Sequence, residues 1–214
     1  MRTRSGLLVV LTVALFSSCS TPFLERAKDP PGWSAGIGGE WSSSSFPEFV
    51  SDYSFWPPLT LVGPTGYVRR SIGDRWSVGF RTSWLIAPAE PCAWASSRAV
   101  SCRLSGKYCP NGTDAIKLDA GYAFTDRLGV DLPIAELTYL HDFGRSLTMA
   151  VRTGCPNFAG IGLTFHLPLA NHLTLRAAGA AHPCSAGLGL GLEWHQPEYE
   201  QPQNAEEKPK APGH

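Results

Sequence analysis

Apolar and polar residues alternate one by one through much of this chain. In the clearest stretch, Trp76, Val78, Phe80 and Trp84 fall on one face, while Ser77, Gly79, Arg81 and Ser83 fall on the other. A period of two marks a β-strand, whose successive side chains point to opposite faces. The pattern returns at 116–124, 147–152, 160–166, 173–176 and 187–194, and more weakly at 33–41, 60–72, 128–132 and 134–143. These segments predict about ten strands, within a range of eight to twelve. Short connections at 73–75, 125–127, 144–146 and 170–172 alternate with longer ones, including 43–58 and 87–114. Short turns at one end and longer loops at the other are the layout of a closed, up-and-down antiparallel transmembrane barrel. In this layout Cys92, Cys102, Cys109, Cys155 and Cys184 all fall at the long-loop end.

The composition of the two faces separates a membrane barrel from a soluble one. A small soluble barrel fills its centre with large apolar side chains and keeps its polar face wet. Here the polar face is mostly Gly, Ser and Thr, with charges at Glu40, Arg81, Lys117, Asp119, Asp131, Arg152, Arg176 and Glu193. Strand-interior glycines weaken an exposed face. Inside a narrow barrel they make room for long charged neighbours to pair. The four cations and four anions of this set predict a closed, self-neutralised lumen. Aromatic residues sit near strand ends on the apolar face, at Trp33, Trp41, Trp76, Trp84, Phe124, Phe143, Phe165 and Trp194, in the manner of interfacial girdles.

The chain has 214 residues, no net charge and a pI near 7.0, which excludes the basic footprint of a nucleic-acid-binding protein. Arg2 and Arg4 precede an apolar run at 7–16 that is too short for a membrane-spanning helix, so residues 1–18 read as a signal peptide. Phe16-Ser17-Ser18-Cys19 resembles a lipobox, which implies cleavage before a lipidated Cys19; ordinary cleavage nearby is the alternative. Residues 19–31 read as a polar linker, 32–195 as the barrel, and 196–214, rich in Pro, Glu and Gln, as a disordered tail. Export favours disulfides. Five remaining cysteines leave one thiol over; the expectation is one bridge within 92–109 and one between Cys155 and Cys184.

The region 32–195 resembles the class of small bacterial outer-membrane β-barrel proteins. Its last strand carries the most specific residues: Gly189, Leu192 and Trp194 are similar to the signal read by the outer-membrane assembly machinery. The resemblance implies that machinery and outer-membrane lipid as partners, with loop partners left open.

A catalytic constellation is not apparent. His141 and Asp142 are adjacent, and adjacent strand residues face opposite ways, which argues against the Asp/His chemistry of omptin-like proteases. His166 and Arg176 share the inner face, where structural pairing is the expectation. No cysteine pair has zinc-ligand spacing, and Gly36-Ile37-Gly38-Gly39 has no following helix to cradle phosphate. No cofactor, metal or enzymatic activity is expected. The leading expectation is a structural or surface-interaction barrel; a small conduit or lipid-active barrel, or a soluble lipocalin-like lipoprotein, is the alternative.

Overall fold

The computed structural model describes residues 25–44, 59–86, 98–125, 130–155, 159–182 and 185–196. They form ten strands: β1 (Trp33–Ser44), β2 (Leu59–Ile72), β3 (Trp76–Ile86), β4 (Arg98–Tyr108), β5 (Asp114–Thr125), β6 (Val130–Phe143), β7 (Leu147–Cys155), β8 (Gly160–Ala170), β9 (Leu173–His182) and β10 (Ser185–His195). Each pairs antiparallel with the next, and β10 returns to β1 to close the barrel. The closing seam runs in unbroken register from Ser34↔His195 to Ser44↔Ser185, so the sheet has no free edge.

The in/out alternation follows the sequence pattern. Ile37, Leu104, Leu118, Ile161, Phe165 and Leu188 are among the large apolar side chains exposed on the outside. Ser77, Arg81, Ser83, Lys117, Asp119, Thr148, Arg152, Thr164 and Arg176 are buried within. An outside this apolar is stable only against hydrocarbon, since soluble monomers rarely expose such contiguous area. Strands of 9 to 14 residues are long enough to cross a bilayer at the usual tilt. The described part of the chain is therefore a transmembrane barrel.

Two segments depart from the sequence expectation. The stretch 87–114 is not one long loop, because it contains β4. The segments 128–132 and 134–143 are not two strands, because β6 runs through Pro133. β7 ends at Cys155 opposite Ala135, so Pro133 stands past the end of that ladder, where a residue without an N–H is tolerated. One omission and one split left the total at ten. With β4 in place, the β5–β6 connection moves to the long-loop end, away from the short turns with which 125–127 was grouped. The turns after β2 and β6 each open on a glycine with positive φ, Gly73 (64°) and Gly144 (70°), a conformation L-residues avoid.

The cysteines are corrected by the same change. Cys102 lies within β4 and is exposed on the outer face, while Cys109 is buried at the short-turn end; both are free. They neither share a loop nor bridge one. The Cys155 side chain and Cys92 and Cys184 lie outside the described residues, as do Cys19, the signal peptide and the tail beyond Gln196.

Candidate functional site: the charged lumen

The lumen is lined by charged side chains from almost every strand. Among the described residues, seven buried cations project from the wall: Arg69, Arg81, Arg103, Lys107, Lys117, Arg152 and Arg176. The buried wall anions are Glu40, Asp119, Glu136 and Glu193. Arg69, Arg103, Lys107 and Glu136 were absent from the sequence-derived set. Arg103 and Lys107 belong to β4, the strand read as loop, and Glu136 to the strand that Pro133 obscured. The side chain of Asp131 lies outside the described ones.

Four pairs are made within the wall among the described residues. Arg81 donates to Glu40, Arg103 to Glu136 at 2.8 Å, and Arg176 to Glu193. Arg176 and Glu193 are 1% and 0% exposed, so water supplies neither. Lys117 meets Asp119 at 2.9 Å. Glycine supplies room for a large side chain inside the barrel. A Cβ on Gly36 would come within 2.5 Å of the Tyr67 ring, and that ring packs against the Arg69 and Arg176 guanidiniums at 5.1 and 6.0 Å.

The wall alone carries a cationic surplus, and the segment before β1 offsets it. Residues 25–31, read from sequence as linker, enter the lumen at the short-turn end. Asp29 pairs with Arg69 and, at 2.6 Å, with Lys107. Glu25 lies 3.3 Å from Arg69, 3.1 Å from Lys117 and 3.8 Å from Lys107. Burial opposes the charge on both carboxylates, but the cations outweigh it. Arg69, Lys117 and Lys107 hold Glu25 well below the ordinary carboxylate range, and Arg69 and Lys107 lower Asp29 against the repulsion of Glu25.

Between the two acids, Ala27 is fully buried beside Cys109, Ala115, Leu140 and Ala150. Its N–H donates to both Asp142 oxygens at 3.0 and 3.1 Å. Ser71 Oγ donates to the Pro30 carbonyl at 2.6 Å, and Ser77 Oγ to Asp29 at 2.6 Å. The segment is thus a strap, fixed by an apolar socket in the middle and by charge on either side.

No family model matches the chain, and no curated protein matches it. Similar solved structures include Ail, the attachment invasion locus protein of Yersinia pestis (11% identical, covering 77% of this chain and 99% of that one, TM-score 0.41). They also include the KdgM porin (8%, 76% and 99%, 0.41) and the outer membrane protease OmpT of Escherichia coli (10%, 82% and 99%, 0.38). At this level of likeness the comparisons carry no argument about what the chain does.

His141 and Asp142 diverge as adjacent strand residues must. His141 Nδ1 lies 2.7 Å from Asp114 at the rim, while Asp142 accepts Thr148 Oγ1 at 2.6 Å inside the lumen. Thr148 in turn contacts His166 Nε2 at 2.8 Å. Thr148 donates its proton to Asp142, so Nε2 is the donor to Thr148. His166 is thereby committed to a structural bond near the Arg176–Glu193 pair. Among the described residues, no group of His, Cys, Asp or Glu is placed to hold a metal ion. Gly189, Leu192 and Trp194 lie on β10, with Leu192 and Trp194 facing outward.

Proposed function

We propose that the protein is a non-catalytic resident of the bacterial outer membrane whose sealed barrel serves as a platform for its long-loop rim. The observation that carries this reading is the lumen: buried ion pairs line it between neighbouring and next-but-one strands, and the strap enters its short-turn end. A hydrated pore needs continuous space, which these side chains and the strap occupy. In barrels of this kind the short turns face the periplasm. That orientation puts the strap, the start of β1 and the end of β10 on the periplasmic side. It leaves the connections after β1, β3, β5, β7 and β9 for surface interaction.

This orientation also suits a lipidated Cys19. It lies six residues before Glu25, within about 20 Å of extended chain, and its acyl groups would enter the periplasmic leaflet beside the barrel. Gly189, Leu192 and Trp194 then serve as the assembly signal, and a bridge between Cys155 and Cys184 would tie two loops of the same rim. Purified protein in a planar bilayer should pass no steady current. Open-channel conductance in the wild-type protein would favour the conduit and overturn the platform.

A further inference from the structure

We infer that Arg69, Lys107 and Lys117 form an anion-binding site of the barrel wall, suited to a small doubly charged oxyanion such as phosphate or a short dicarboxylate, which Glu25 and Asp29 fill in the resting protein. The three cations come from three strands, β2, β4 and β5, and converge at the short-turn end. Of the wall anions, Glu40 is engaged with Arg81, Glu136 with Arg103 and Glu193 with Arg176, while Asp119 offsets part of the Lys117 charge at 2.9 Å. Among the described residues, the carboxylates paired with Arg69 and Lys107 are those of the strap.

The way the strap fits defines the ligand. Two carboxylates share Arg69 and Lys107, so the site is built for two negative charges close together rather than one. Asp29 also accepts from Ser77 Oγ at 2.6 Å, and a hydroxyl beside a guanidinium and an ammonium is a donor set for oxyanions. The strap reaches this position as a separate segment ahead of β1, outside the hydrogen-bonded sheet. Its departure would expose the cations from the periplasmic side without breaking a strand pair. A tethered competitor acts at an effective concentration on the order of millimolar, so a free anion binds weakly until the strap is weakened.

The test is calorimetric titration of the full chain in detergent with inorganic phosphate and, separately, succinate. Three proteins are compared: wild type, Glu25→Gln/Asp29→Asn, and Ala27→Trp. The last overfills the strap's apolar socket and leaves every charge in place. Either strap variant should bind at least one of the two anions tenfold or more tightly than wild type, and the preferred anion identifies the ligand class. Adding Arg69→Gln should abolish the gain. If the double variant does not fold, Ala27→Trp decides alone, with a heat-dependent shift in gel migration as the folding control. Folded strap variants that bind neither anion better than wild type, or a gain that survives Arg69→Gln, would overturn the inference. Bilayer conductance is a separate measurement, so failure of this site and failure of the sealed platform are distinguishable.

Discussion

At the scale of single residues, neighbouring positions have opposite environments. Val151 faces outward and Arg152 is buried in the lumen. Val151→Arg places a cation against lipid, a cost of about 2–4 kcal/mol near the bilayer centre. Arg152→Leu removes a lumen charge and leaves the outer face intact. Folding titrations from urea in the presence of lipid vesicles should find Val151→Arg the more damaging; the reverse order would invert the two faces. Glu193→Ala is a sharper test of the interior, because it removes the carboxylate bonded to Arg176 where both side chains are almost fully buried. Removing one partner of such a buried pair costs about 3–5 kcal/mol. A loss below about 1 kcal/mol in the same assay, the range of exposed pairs, would mean that water enters the lumen.

At the scale of elements, the regular strands were legible because their alternation survives in the side chains. β3, β5 and β10 carry large apolar residues at nearly every outward position. β4 does not. Its outward face includes Cys102 and Gly106, and cysteines with nearby prolines look like a loop stapled by disulfides. β6 was hidden by Pro133, whose tolerance depends on where β7 stops, a fact of pairing that no local pattern contains. Most lumen charges were legible where the alternation was regular; Arg69 was not, because the adjacent Arg70 leaves the faces of its strand ambiguous. The strap was not, since Glu25 and Asp29 gain meaning only from cations 40 or more positions downstream.

Strap docking should depend on pH in a defined direction. Both carboxylates are held below their ordinary range, so the docked state binds fewer protons than the undocked one. The stabilisation is complete above the ordinary carboxylate pKa of about 4 and is lost as pH falls through the lowered values. Hydrogen exchange at the Ala27 and Lys28 amides, which donate to Asp142, should show full protection near neutrality and loss only below about pH 4. Protection that disappears between pH 8 and 6 would assign the docking to another group.

At the scale of the whole molecule, the central claim is that the apolar outside meets lipid and the charged inside is sealed. Five of the seven tryptophans test the outside directly. Trp33, Trp76 and Trp194 are exposed near the short-turn rim, and Trp41 and Trp84 near the opposite one. Interfacial girdles place such residues at the two bilayer boundaries. The protein, folded into vesicles of lipids brominated at known acyl positions, should lose much of its tryptophan fluorescence. Quenching should be stronger for bromines near the headgroup than for bromines near the chain terminus. A protein that stays monomeric in water without detergent, and whose fluorescence is unchanged by brominated lipid, would contradict the account.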